Sequence, residues 1–173
     1  MTPAGEDSFF GINRIRVIET FVYYTNTSTG CIGRIPMTLE TGRHDIGIVA
    51  TGPAQIVIDD LPGHLDGLAI STDQTHAYVA SYLDGHLHKV TIDSEGQGTS
   101  KVILENLDRP TGINIAPSPT DQNKSKLYVI CCGEIEVAWF AAYKEDPWKA
   151  IRDLHSAVHA TVVERVTQIL QIC

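Results

Sequence analysis

Residues 66–90, DGLAISTDQTHAYVASYLDGHLHKV, contain three short apolar or alternating runs that are separated by turn-forming residues. Asp84 and Gly85, which stand between two of these runs, are typical of a hairpin turn because both residue types tolerate a positive φ. Three such strands joined by tight turns form a meander. A lone meander cannot bury its apolar faces, so the pattern is expected to recur along the chain.

The pattern does recur. Gly112 begins a similar run about 45 residues after Gly67, a separation typical of propeller blades. A third run begins upstream at Gly11, and its longer separation from Gly67 is explained by an insertion at 38–52. Each unit is predicted to have an inner strand led by glycine, a second strand with tyrosine, a third after a glycine turn, and a short fourth. Four antiparallel strands per unit form a propeller blade, and the fourth strands are predicted at 55–58 and 101–104.

These patterns predict an all-β fold, a partial β-propeller of two to three four-stranded antiparallel blades, followed by one amphipathic helix. The predicted organisation is a flexible N-terminus at 1–8, the partial propeller at 9–137 and a helical extension at 138–173. From Pro147 onward the apolar period changes from two to 3.6, and Asp146 suits the N-cap. The apolar stripe of this predicted helix consists of Trp148, Ile151, Leu154, Val158, Val162, Val166 and Ile169.

The number of blades leaves three interpretations open. Closed propellers need at least about four blades, and unpaired edge strands invite pairing with another chain. The chain is expected first to be a truncated product whose helix replaces the missing blades. Alternatively, two copies pair through their open blade edges as a homodimer, or the helix caps an open sheet.

Charge and hydropathy restrict the partners. The formal net charge of −8 disfavours nucleic acid and anionic membrane surfaces as partners. No apolar run approaches the length of about 18 residues that a transmembrane helix requires. The first eight residues do not resemble a signal peptide. The compartment stays undetermined, and the cytoplasm is the default expectation.

The segments GINRIRV and FVYYTNTSTGCIGRIPM, together with LDGLAISTDQTHAYVAS, resemble fungal six-bladed propeller proteins related to gluconolactonase and senescence-marker proteins. The resemblance covers about residues 11–133 and implies the propeller fold. Two activities are implied by it: metal-dependent lactone hydrolysis, and hetero-Diels–Alder cyclisation in clusters for secondary-metabolite biosynthesis. The GIN and YYTN segments are most similar to the second group.

Lactone hydrolysis requires a divalent cation such as Ca²⁺ or Zn²⁺, which polarises the carbonyl and acidifies a water. In the gluconolactonase-like proteins that the sequence resembles, Asn or Asp ligands directly precede the glycines of inner strands. Asp66 is the residue that fits this place, and it is the alternative metal ligand. The matching positions are occupied by Phe10 and Thr111, which coordinate hard cations poorly, so this departure weighs against a lactonase.

The histidines do not change this conclusion. His86 and His88 share one face of a strand, and His155 and His159 share one face of the predicted helix. Neither pair has an evident third ligand. No metal site is therefore predicted as the first choice.

A cycloaddition needs no cofactor. It needs a shaped apolar pocket with aromatic walls and a few hydrogen-bond donors. The leading prediction is thus a cofactor-independent cyclase acting on a small reactive metabolite; the alternatives are a lactone hydrolase and an inactive truncated scaffold or interaction module. The candidate catalytic residues are Asp66, His64 and Tyr24, and the candidate substrate-binding residues are Phe10, Asn13, Asn26, Tyr82 and Asn114.

Overall fold

The computed structural model of the chain describes residues 11–41, 46–117 and 125–132. All regular elements in these ranges are β-strands that pair antiparallel, which confirms the all-β prediction. The predicted flexible N-terminus at 1–8, the predicted helix from Pro147 onward and residues 133–137 lie outside the described residues. Among residues 11–41, 46–117 and 125–132, no helix is long and apolar enough to cross a membrane.

The first sheet contains a four-stranded unit, here called unit 1. The first half of the third strand pairs with the second strand on one side and, on the other, with the fifth strand in chain order. This fifth strand is the predicted short fourth strand of the unit, which is thereby confirmed. The second half of the third strand pairs with a separate strand outside the unit. In chain order the strands are β1 (Ile12–Ile18), β2 (Phe21–Asn26), β3 (Cys31–Thr41), β4 (Ile46–Ala50) and β5 (Gln55–Ile58).

Unit 2 is a four-stranded meander in which each strand pairs with the next one along the chain. Its strands are β6 (Leu65–Ile70), β7 (His76–Ser81), β8 (His86–Ile92) and β9 (Gly98–Leu104). The described part of unit 3 is a two-stranded sheet formed by β10 (Pro110–Pro117) and β11 (Ser125–Cys131). We refer to β1, β6 and β10, the first strands of the three units, as the inner strands.

Three equivalent backbone hydrogen bonds show that the units repeat one arrangement. In each unit, the amide of the residue after the second strand donates to the carbonyl of the residue before the inner strand. Each bond therefore joins the start of an inner strand to the end of the second strand of the same unit. The starts of the three inner strands are thus structurally equivalent. The bonds are Thr27 N to Gly11 O (3.0 Å), Tyr82 N to His64 O (3.1 Å) and Cys132 N to Arg109 O (3.1 Å).

The crossings from one unit to the next also repeat. Leu61 N donates to Gly30 O, and Leu107 N donates to Gly85 O, both at 2.9 Å. The two glycines have φ of +64° and +65°, in the left-handed region that favours glycine. A Cβ on either glycine would also overlap the carbonyl oxygen of the leucine it faces. Glycine is therefore required at both turns for conformation and for space.

Residues 38–52, which the sequence pattern marks as an insertion, are partly a two-stranded ribbon. The second half of β3 continues past the unit, from Met37 to Thr41, and β4 returns beside it. We call this ribbon the arm. Leu39 and Ile48 face each other across it and are 55% and 53% exposed. The arm therefore presents apolar side chains to solvent.

The apolar core lies between the sheets. One cluster joins units 1 and 2 and includes Tyr23, Ile32, Leu68 and Val79. A second cluster joins unit 2 to unit 3 through Leu87, together with Ala69, Ala80, Ile113 and Leu127. The first two strands of unit 2 are thus buried on both faces, which explains why β6 and β7 are apolar with little alternation.

His88 is a buried polar residue of β8, with 2% of its surface exposed. Its Nδ1 lies 3.2 Å from Ser100 Oγ, and its Nε2 has no hydrogen-bond partner. Burial lowers the pKa of His88, and the neighbouring His86 lowers it further. The imidazole is therefore held neutral, because a protonated Nε2 would be left without an acceptor.

The stability of the chain is expected to fall on acidification because of His88. Its pKa is lower folded than unfolded, so the unfolded chain binds more protons once the pH falls below the unfolded value of about 6.5. One such group contributes a slope of at most about 1.4 kcal/mol per pH unit. Urea unfolding between neutral and mildly acidic pH measures it. His88→Leu is expected to flatten the slope and His76→Gln to preserve it; an unchanged slope in His88→Leu would contradict the assignment.

Candidate functional site

Each inner strand has a register shift directly after its first residue, at which the strand bulges. In unit 1 the shift leaves Arg14 N without a ladder partner, and this amide donates to Thr25 Oγ1 at 3.2 Å. Bulges re-aim side chains and are frequent next to active sites. Here they present the second residue of each inner strand at the same end of the sheets, namely Asn13, Asp66 and Thr111.

This equivalence corrects the alignment made from the sequence. The sequence pattern matched Gly11 with Gly67 and therefore placed Phe10 at the position of Asp66. The backbone hydrogen bonds instead match Gly11 with His64, the residue before the inner strand. Asn13, an amide side chain, thus occupies the position that corresponds to Asp66, and Phe10 lies outside the described residues.

The residues at these bulges form one connected group. Arg14 Nε lies 3.1 Å from Asp66 Oδ1 in an ion pair, and Asn13 Nδ2 donates to the same oxygen at 3.2 Å. Arg14 Nη2 also donates to the carbonyl oxygen of Thr111 at 3.2 Å, across 97 residues of sequence. We call Asn13, Arg14, Asp66 and Thr111 the inner-strand cluster. A single guanidinium thus links all three inner strands.

A second arginine on β1, Arg16, also forms a hydrogen bond with β10. Arg16 Nη2 donates to Ile113 O at 3.4 Å, and Arg16 Nη1 donates to Ile15 O at 3.0 Å. Sequence reasoning missed both Arg14 and Arg16. The signal was present in the run Asn13-Arg14-Ile15-Arg16, since residues two apart on a strand point to the same face.

Asp66 is engaged by donors in this arrangement. Its side chain is 19% exposed and that of Arg14 is 41% exposed, so solvent and small molecules reach the pair. Asp66 Oδ1 accepts from both Arg14 and Asn13, which a cation would have to displace before binding that oxygen. In ranges 11–41, 46–117 and 125–132, no three His, Cys, Asp or Glu side chains are grouped to hold a metal ion.

A shallow depression of about 400 Å³ lies between units 1 and 2, beside the cluster. His64, which has a φ of +52°, lies in its wall two residues before Asp66. Its lining combines hydroxyl groups, a carboxylate and an imidazole with two leucines. The lining residues are Thr27, Ser28, Thr29, Gly30, Asp60, Leu61, Gly63, His64 and Leu83.

Two further candidates lie at this same end of the sheets. Asn26 is buried, and its Oδ1 accepts from the amides of Ser28 (3.2 Å) and Thr29 (3.4 Å), so the side chain shapes the turn beside the depression. Tyr82 is half-buried and follows β7, where its amide meets His64 O. The structure therefore brings Asp66, Asn13, His64, Asn26 and Tyr82 to one end of the sheets.

The other two described candidates lie away from this end. Tyr24 is buried in β2 opposite Gly33, where a Cβ would overlap the tyrosine ring. Burial raises the pKa of Tyr24, and Cys31 raises it further, so its phenol stays protonated at neutral pH. Asn114 is exposed midway along β10, opposite Tyr128.

A scan of the sequence against models of protein families finds no match. A search of curated proteins also finds no match. The case for a function therefore depends on the geometry of the inner-strand cluster and of the depression beside it.

Proposed function

We propose that the chain is part of a propeller-fold enzyme of fungal secondary metabolism, as the sequence resemblance suggests. Its activity would be cofactor-independent cyclisation of a small reactive metabolite by a hetero-Diels–Alder cycloaddition. The observation that carries this proposal is the inner-strand cluster, in which Arg14 and Asn13 gather hydrogen-bond donors at one end of the sheets.

The repeat of the three units supports the propeller part of the proposal. β1 packs beside β6, and β6 packs beside β10, so the inner strands are neighbours, while the later strands make fewer contacts with the neighbouring unit. Propeller blades are arranged in this way around a central axis. The equivalent hydrogen bonds at Gly11, His64 and Arg109 fit the same repetition.

The donors suit the chemistry of such a cycloaddition. A quinone-methide carries a polar carbonyl oxygen, and a hydrogen bond to that oxygen withdraws electron density from the heterodiene. The electron-rich alkene then adds with a lower barrier, since preorganised donors stabilise the charge that develops on oxygen. Arg14 has a partly exposed guanidinium for this role, and Asn13 has an exposed side chain beside it.

The reaction balances without any further reactant. The alkene π bond and the two π bonds of the heterodiene are consumed, while one C–C bond, one C–O bond and one new π bond form. No proton, electron or leaving group is transferred. The chain therefore has to bind the two partners close together and to polarise one of them, and the depression beside the cluster offers the exposed apolar side chain of Leu83.

Two other functions compete with this one. Lactone hydrolysis would use Asp66 as a ligand to a divalent cation, but both donors that bind Asp66 Oδ1 would first have to give way. A binding module without catalytic activity is favoured by the arm, whose Leu39 and Ile48 are exposed. An assay with both substrate types distinguishes the cyclase, the lactone hydrolase and the binding module.

The test is to incubate the purified chain with an ortho-quinone methide, generated in solution, and an electron-rich alkene. Cycloadducts are separated by chiral chromatography, because a catalysed reaction enriches one stereoisomer over the racemic background. A panel of lactones with added Ca²⁺ or Zn²⁺ is assayed in parallel. Stereoisomer enrichment supports the cyclase; a racemic product overturns it, with metal-dependent lactone opening then supporting the hydrolase and neither activity supporting the binding module.

Asp66→Ala separates the two enzymes further. In a cyclase, Asp66 only orients Arg14, so the variant is expected to lose less than about tenfold of the rate, because a neighbouring donor, Asn13, remains. In a hydrolase the same variant removes a metal ligand, and activity would be abolished. Initial rates of both reactions measure the difference, with circular dichroism to show that the sheets are intact. Complete loss of cycloadduct from a folded variant would contradict the role given to Asp66.

A further inference from the structure

The two arginines of β1 carry more positive charge than the described residues around them neutralise. Arg14 pairs with Asp66, whereas Arg16 has no carboxylate within ion-pair distance among the described residues. Its guanidinium donates to the carbonyl oxygens of Ile15 and Ile113 instead. Among the described residues, Arg14, Arg16 and Asp66 therefore sum to one unit of positive charge.

The acceptors that Arg16 and Arg14 use on β10 are replaceable. The bonds to Thr111 O and Ile113 O measure 3.2 and 3.4 Å, long for bonds that involve a charged donor. Both acceptors are neutral backbone carbonyls. An anionic oxygen is a stronger acceptor, and a carboxylate can accept two parallel N–H bonds of about 2.7–2.9 Å from one guanidinium.

The spacing of the arginines suits a small planar anion. Arg14 and Arg16 are two residues apart on one strand and therefore share a face. Guanidinium groups present paired N–H donors that match the two oxygens of a carboxylate. The Arg14 side chain is 41% exposed, so a ligand has access to the group.

We infer that the substrate of this site is a monocarboxylate, anchored by Arg16 and by the free donors of Arg14. The single unit of positive charge matches one carboxylate better than a phosphate dianion. This inference rests on the proposed function for the location of the site, but not for the reaction. The carboxylate would hold the metabolite at the inner strands, with its reacting carbonyl beside Arg14 and its apolar part over the depression.

The experiment measures binding rather than turnover, so that it stands or fails separately from the cyclase. The chain is titrated with benzoate, with benzamide as a neutral probe of the same shape, and with inorganic phosphate. Arginine Nε–H resonances, assigned by substitution, report which side chains respond. We expect benzoate to bind at least about tenfold more tightly than benzamide, to shift the Arg14 and Arg16 resonances, and to weaken as ionic strength rises.

Variants show whether Arg16 is the anchor. Arg16→Gln is expected to weaken benzoate binding by about tenfold, and Arg16→Lys by less, because lysine keeps the charge but loses the fork. Arg34→Gln is the matched control, since Arg34, on β3, lies over the ring of Phe21 and away from the inner-strand cluster. Its affinity for benzoate is expected to stay within about twofold of the original.

Several results would overturn the inference. Equal affinities for benzoate and benzamide would show that charge is not recognised, and tighter binding of phosphate would show that a carboxylate is not the preferred anion. An equal loss of benzoate affinity in Arg34→Gln and Arg16→Gln would show that benzoate is attracted to the positive charge of the chain in general and not to this site. Benzoate binding without any cycloadduct would keep the anion site and reject the cyclase, whereas cycloadduct formation without benzoate binding would do the reverse.

Discussion

Gly30→Ala is expected to lower the free energy of unfolding by about 3–4 kcal/mol, a large effect for a single methyl group. Gly30 has a φ of +64°, and left-handed backbone costs alanine about 1–2 kcal/mol. The added Cβ would also overlap the carbonyl oxygen of Leu61, which the crossing from unit 1 to unit 2 holds in place. Strain and overlap act on the same methyl group, so the turn has to open or the crossing has to move.

Equilibrium unfolding in urea measures this loss, and the chain provides both a repeat and a control. Gly85→Ala is expected to behave similarly, because Gly85 has the same φ and faces Leu107 O in the same way. Gly47→Ala is the control, since its Cβ would have only an ordinary contact of 3.9 Å with Glu40 O in the exposed arm. A loss below about 1 kcal/mol in both Gly30→Ala and Gly85→Ala would contradict the repeated crossing.

The strands of this chain could be predicted from the sequence because their signals are local. A glycine with positive φ precedes the third strand in units 1 and 2, at Gly30 and Gly85, and runs of apolar residues mark the strands between the turns. The short fourth strand at Gln55–Ile58 and the antiparallel pairing followed from the same pattern. The arm was harder to predict, because residues 38–52 contain no two-residue turn signal such as Asp84-Gly85.

The alignment of the inner strands could not be predicted, because a bulge inserts a residue without leaving a mark in composition. Gly11 and Gly67 look alike in sequence, yet Gly11 precedes its strand and Gly67 lies inside its own. Asn13 was thus recognised as a candidate without being recognised as the counterpart of Asp66. Only the hydrogen bonds at the strand starts reveal that the two residues are equivalent.

The contacts of the arginines also could not be predicted from the sequence. Arg14 meets Asp66 and Thr111, which are far away along the chain, and such contacts depend on how the sheets pack. An arginine on a strand is usually a solvated surface residue. Its role here follows from the adjacency of the three inner strands.

Arg14→Gln is therefore expected to reduce the rate of enzyme-dependent cycloadduct formation by about a hundredfold, the loss typical of removing one preorganised donor to a developing oxyanion. Glutamine carries no charge and lacks the Nη2 that donates to Thr111 O, while its amide Nε2 can still donate to Asp66 Oδ1 from the position of the arginine Nε. The effect on kcat/KM should exceed that of Asp66→Ala, because Asp66 only orients the donor whereas Arg14 supplies it. Initial rates with the quinone-methide and alkene pair measure the loss.

Arg14→Lys and Arg34→Gln decide what such a loss means. Lysine keeps one positive charge but has no planar fork, so an intermediate rate would show that charge and geometry both contribute. Arg34→Gln removes one positive charge away from the inner strands and is expected to leave the rate unchanged. A folded Arg14→Gln variant that keeps the original rate and stereoselectivity would exclude Arg14 as the activating donor. In that case Asn13, His64, Tyr82 and the hydroxyl groups of the depression would be the candidate donors left at this end of the sheets among the described residues, and Asn13→Ala would be the next substitution to test.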